Sequence, residues 1–161
     1  MLTSMKLRHE NVYDAPAADV FAMLVDPAYR KKVAEATDAI SCDAAFGGGK
    51  LVVREEQAVK GVPSFAKKFV GESTQAIHTE VWDAAGTSGT FEIETPGKPT
   101  HISGTTSLTE KDGRTVHVYD LEVKASVPLV GGKLEKLVAD LTADGFDKER
   151  EVGVAWLAGG R

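Results

Sequence analysis

The chain has 161 residues, 42% hydrophobic and 27% charged, enough to bury the core of one soluble globular domain. Its net charge of -5 argues against a nucleic-acid partner, whose phosphates ask for a basic face. No run approaches the roughly 18 apolar residues of a membrane span, the start MLTSMKLRHEN carries no apolar signal segment, and Cys42 has no second thiol for a disulfide or a zinc site.

These features predict a cytoplasmic protein without stable membrane insertion, and leave the oligomeric state open. Lys6 to Tyr13 reads as a first strand, ended by the turn-forming Asp14-Ala15-Pro16. Asp19 to Leu24 reads as a short helix, which Asp26-Pro27 breaks because the residue before proline avoids helical geometry. Tyr29 to Thr37 makes a second short helix. Ile40 to Phe46 and Lys50 to Gln57 flank Gly47-Gly48-Gly49 as a hairpin. In Val62 to Val70, Phe65 and Phe69 sit four apart, as in a helical turn, and form either a lid or plain core. Four strands follow, Ser73 to Asp83, Gly89 to Thr95, Thr100 to Thr109 and Arg114 to Val127, separated by tight polar turns that imply an antiparallel meander.

The last stretch, Val127 to Leu157, has Pro128 where a helix opens. Leu134, Val138, Leu141, Gly145, Val152 and Trp156 recur at the spacing of one helix face. From Val130 to Leu157 such a helix spans roughly 40 Å, so it crosses the whole molecule. An antiparallel sheet with one apolar face has to cover it, and this helix is the element long enough to do so. The reading is one α+β domain over residues 1–161, with about seven strands on a long terminal helix and two short helices after the first strand.

This order of elements resembles the START-like superfamily, also called SRPBCC, which includes polyketide cyclases, lipid-transfer domains and the birch-pollen-allergen fold. Tyr13-Asp14-Ala15-Pro16, Asp19-Val20-Phe21-Ala22-Met23-Leu24 and Asp26-Pro27 carry the likeness at the strand-to-helix entry. Pro96-Gly97-Lys98-Pro99, Gly104-Thr105, Leu108, Val127-Pro128-Leu129, Gly131-Gly132-Lys133 and Trp156-Leu157 resemble an uncharacterised, largely actinobacterial family within it. The resemblance implies a helix-grip fold with a cavity between sheet and terminal helix. It also implies a hydrophobic or amphipathic small-molecule ligand, carried or sensed, or an enzyme of the cyclase or dehydratase kind. An interaction module whose cavity is filled by its own side chains is the remaining alternative.

Strand alternation selects the residues facing that cavity. His117 and Tyr119 share a face with Leu121 and Val123, while Asp120, Glu122 and Lys124 share the other. In the first strand the charges of Lys6, Arg8 and Glu10 face out, which turns His9, Asn11 and Tyr13 inward. Phe91 joins them as a ligand-lining residue, and the polar members would orient a ligand or hydrogen-bond one another. On the long helix, Gly145 costs about 1 kcal/mol relative to alanine, so it marks space for a ligand, a hinge or close approach of a bulky side chain. Phe146 is core or cavity wall. Glu149 is expected at the stripe edge, reaching solvent; facing inward, it would need a partner or a raised pKa, and a pairing with histidine would suit acid–base work. His9, His78, His101 and His117 are too scattered for a metal site, and neither a phosphate loop nor a Gly-x-Ser-x-Gly elbow occurs. No cofactor is implied.

Overall fold

A computed structural model describes residues 4–161. Strand β1 (Met5–Tyr13) is followed by helices α1 (Ala17–Leu24) and α2 (Pro27–Ala36). Strands β2 (Ala39–Gly47) and β3 (Lys50–Ala58), helix α3 (Ser64–Val70), and strands β4 (Ser73–Trp82), β5 (Ser88–Glu94), β6 (Thr100–Lys111) and β7 (Arg114–Ala125) come next. Helix α4 (Gly131–Leu157) ends the series. The sheet is antiparallel, ordered β1-β7-β6-β5-β4-β3-β2, and curves around α4 in a helix-grip arrangement.

Local chemistry explains most of these boundaries. The β2–β3 hairpin closes with Gly47 opposite Lys50, so Gly48 and Gly49 form a two-residue loop with φ of 58° and 77°, values that glycine adopts without strain. Asp26 ends α1 and also caps α2: its side chain accepts the Ala28 N–H at 2.9 Å, and Pro27 occupies the first turn. The cap of α1 comes from far away in sequence, because Ala17 N–H donates to Glu110 of β6 at 2.7 Å. Pro128 does not open α4. It lies in a turn before the helix, where Leu129 has a φ of 69° and Val130 is the N-cap.

The buried face of α4 differs from the predicted stripe. Leu134, Glu135, Ala139, Phe146, Glu149, Gly153 and Trp156 are buried, whereas Leu141 is 51% exposed. Two of these seven are carboxylates, each with buried partners; Glu135 accepts the Ala125 N–H at 3.0 Å and so ties the end of β7 to the start of the helix. Tyr13, Met23, Leu24, Tyr29, Trp82 and Trp156 make one core cluster beneath α1 and α2. Phe91, Tyr119, Leu121, Val123 and Phe146 make a second beneath the middle of α4.

Close approach of the helix to its neighbours falls at Gly153. A methyl group there would lie 2.8 Å from the Tyr13 ring, 3.0 Å from Met23 Cε and 3.1 Å from the Tyr29 hydroxyl. Gly153→Ala is therefore expected to destabilise the protein by about 1–3 kcal/mol despite the better helix propensity of alanine, read as a lower urea midpoint at unchanged slope.

Candidate functional site

The sheet and α4 meet closely only along part of their length. Helix α4 packs on β1 and β7, and a cavity of about 610 Å³ remains between its middle turns and the inner faces of β3, β4, β5 and the start of β6. Val53, Ala76, Phe91, Ile93 and Ile102 supply the sheet wall, and Leu137, Val138 and Leu141 the helix wall. Val62, just before α3, and Val70, its last residue, close one side. Phe65 and Phe69 of α3 are half-buried against the cluster around Leu134.

Four of the nine residues singled out in the sequence lie on this wall: Phe91, Gly145, Phe146 and Glu149. Gly145 faces open space, with nothing within 4 Å of where a methyl group would sit, so close approach is not its role. The other five lie outside the wall. His117 and Tyr119 point inward but are 0% exposed, sealed by packing: Tyr119 stacks on Phe146 at 3.8 Å between ring centres, and His117 lies 4.2 Å from Tyr119. His9 and Asn11 bond each other at 3.0 Å, and Asn11 Nδ2 donates to the Phe146 carbonyl at 3.0 Å, so they hold α4 from its far side. Tyr13 belongs to the core around Gly153.

Glu149 corrects the expectation that it reaches solvent. It is 2% exposed and surrounded by donors that only the tertiary fold assembles. Arg30 Nη1 of α2 donates to Oε1 at 2.8 Å, and the Tyr119 hydroxyl reaches both carboxylate oxygens, at 2.9 and 2.7 Å. The Tyr29 hydroxyl donates to the Glu149 carbonyl at 2.7 Å. Arg30 Nε donates to the Leu24 carbonyl at 2.6 Å, and its Nη2 lies 3.6 Å from a second buried carboxylate, Glu80.

Glu80, on β4, has its own donors. Trp82 Nε1 donates to Oε1 at 2.8 Å, and His78 Nε2 lies 2.6 Å from Oε2. Burial alone would raise the Glu80 carboxyl, but the charges of His78 and Arg30 and the His78 hydrogen bond outweigh it and lower the pKa to about 2. The Arg30 guanidinium is disfavoured by burial, yet Glu149 and Glu80 push its pKa above the ordinary value. Burial lowers His117 to about 4 against the opposing charges of Glu149 and Glu80, so its ring is neutral near pH 7. Burial and the Glu149 charge raise the Tyr119 phenol well above its ordinary range.

Arg30, His78 and Glu80 were not singled out in the sequence. A signal for two of them existed: Thr74, Ala76, His78, Glu80 and Trp82 alternate on one face of β4, and the tryptophan marks that face as the inner one. Among the described residues, no three His, Cys, Asp or Glu side chains gather as a metal site, and no helix is long and apolar enough to cross a membrane.

The family described as "Protein of unknown function (DUF2505)" matches residues 8–157. The chain belongs to that family. Several solved structures share the fold. The protein TTHA0849 from Thermus thermophilus superposes with a TM-score of 0.67 at 20% identity, over 94% of this chain and 98% of that one. The Zhui aromatase/cyclase from Streptomyces sp. R1128 gives 0.68 at 16%, over 99% and 100%, and Ara h 8.0201 gives 0.65 at 12%, over 95% and 99%. At these identities the likeness is one of fold. No curated protein matches by sequence.

Two outcomes follow from the buried charges. Glu149→Gln leaves Arg30 short of a counter-charge and is expected to cost about 3 kcal/mol, measured by urea unfolding. The folded state also resists acid poorly. His117, depressed from 6.5 to about 4, contributes stability that is complete above pH 6.5 and is lost as pH falls toward 4. Glu80, depressed from 4.5 to about 2, contributes stability present above pH 4.5 and lost as pH falls toward 2. Wild-type stability should therefore fall by about 2 kcal/mol between about pH 7 and pH 5, and His117→Gln should flatten that interval.

Proposed function

We propose that the chain binds a hydrophobic or amphipathic small molecule, of lipid, polyketide or isoprenoid size, between the sheet and α4, as carrier or sensor. The observation that carries this reading is the cavity of about 610 Å³ with Leu137, Val138 and Leu141 turned into it. Sites for small molecules are concave and mostly apolar, with roughly 300–1,000 Å³ of space and a few fixed polar groups. Apolar burial would supply most of the affinity, at about 25 cal/mol per Å² removed from water. Leu141, 51% exposed, is on the wall of this cavity, where a bound apolar ligand would cover it.

The geometry favours binding over the two alternatives. An interaction module with a filled cavity would not leave this volume open. A cyclase or dehydratase working through His117 or Tyr119 would need those side chains on the wall, and both are sealed behind Phe146 and Phe91. The similarity to an aromatase/cyclase at 16% identity supports the fold rather than that chemistry.

Native mass spectrometry of protein purified from its own host tests the reading, with a co-purifying lipid- or polyketide-sized mass expected. Leu141→Trp places an indole in the open space and should abolish that mass while changing stability by less than about 1 kcal/mol. Repeated absence of any bound mass, together with no thermal shift across a panel of lipids and aromatics, would overturn it.

A further inference from the structure

The cavity wall carries a small number of polar side chains, and most are already engaged. Thr95 and Thr100 bond each other at 2.7 Å, Gln57 Nε2 donates to Thr37 and Glu55, Thr74 donates to the Val70 carbonyl, and Thr142 donates to the Val138 carbonyl. Asp38, Lys60, Asp144 and Lys148 are at the rim. At the deep end, Glu149 is saturated by Arg30 and Tyr119 with 3% of its side chain exposed, and the Arg30 Nη2 is buried against Glu80.

His78 differs from all of these. Its ring is on the wall, 15% exposed, and set 4.6 Å from Phe91. Its Nε2 is taken by the fully buried Glu80 carboxylate, which can only accept, so the proton on that side stays on the ring. Its Nδ1 has no protein partner and is not buried away from the cavity. An imidazole oriented by a carboxylate has its free nitrogen fixed in place, as a carboxylate bonded to the far nitrogen of a metal-binding histidine fixes that ring. In the neutral ring that nitrogen is an acceptor.

We infer that His78 is the polar anchor of the cavity, accepting a hydrogen bond at Nδ1 from a neutral hydroxyl on an otherwise apolar ligand, with Glu80 as the positioning residue behind it. This rests on the binding role proposed above and names the ligand class. The neighbouring charges select a hydroxyl over a carboxylate. With the His78 ring neutral, Glu80 and Glu149 set two negative charges against the single buried guanidinium of Arg30, so a ligand carboxylate at Nδ1 would add a third anion beside them. A hydroxyl adds no charge. It also extends the hydrogen-bonded chain from Trp82 through Glu80 and His78 to the ligand.

Three probes of one size separate the possibilities: 2-naphthol, 2-methoxynaphthalene and 2-naphthoate, titrated by calorimetry into the wild-type protein. The naphthol is expected to bind about tenfold more tightly than its methyl ether, and more tightly than the carboxylate. His78→Phe, which keeps an aromatic ring beside Phe91, should bring the naphthol and the ether to equal affinity. Nitrogen NMR of the histidine rings gives a reading that needs no variant: the His78 Nδ1 resonance should shift with naphthol and not with the ether. Equal binding of naphthol and ether to the wild-type protein, tighter binding of the naphthoate, an unmoved Nδ1 resonance, or a preference that survives His78→Phe would each overturn the anchor and leave the cavity reading standing. Failure of all three probes to bind would overturn both.

Discussion

A guanidinium with 5% of its side chain exposed, held between two buried carboxylates, is the interaction on which the rest of this molecule depends. Arg30 comes from α2, Glu149 from α4, Glu80 from β4 and Tyr119 from β7. No two of them share an element, so the network ties both helices to two separate strands of the sheet. A buried ion pair is weak evidence for added stability, because desolvation of each charge offsets most of the attraction. Removing one member, however, strands the other charge in a low-dielectric interior. The network thus penalises any other register of α4, which apolar contacts alone would tolerate more readily.

That fixed register shapes the cavity. Helix α4 is drawn down on β1 and β7, where Asn11 takes the Phe146 carbonyl and Tyr119 stacks under the Phe146 ring. The curve of the sheet then carries β3, β4 and β5 away from the helix, and their inner faces oppose Leu137, Val138 and Leu141 across open space. Polar anchoring on one side and apolar separation on the other have the same origin: a straight rod resting in a curved sheet touches it along one line. Gly153 lets that contact be close, and Gly145, on the open side, has nothing to approach.

Much of the architecture was legible in the chain itself. The alternation along β7 separated His117, Tyr119, Leu121 and Val123 from Asp120, Glu122 and Lys124, and the structure keeps that division. Gly48-Gly49 and Asp26-Pro27 marked their turns through local backbone chemistry. The site was less legible. His117 and Tyr119 are buried on the inner face of β7 yet absent from the cavity wall: strand direction does not distinguish a residue on a wall from one sealed behind it. That depends on whether a neighbour such as Phe146 lies across it. Arg30 drew no reading and Glu149 was placed at a stripe edge, because the side chains that hold them, each other and Tyr119, lie far away along the chain.

By itself, then, the sequence determined the order of elements, the antiparallel meander and the division of faces along β1 and β7, because those follow from turns and from a two-residue period that neighbours along the chain enforce. Only the tertiary structure decided which inward groups meet: Arg30 with Glu149 across 119 positions, and His78 with a wall rather than with a core. The reason is electrostatic as well as geometric. A buried charge is permitted only where an opposite charge or a set of donors stands beside it, and that condition concerns residues far apart in the chain and close together in space.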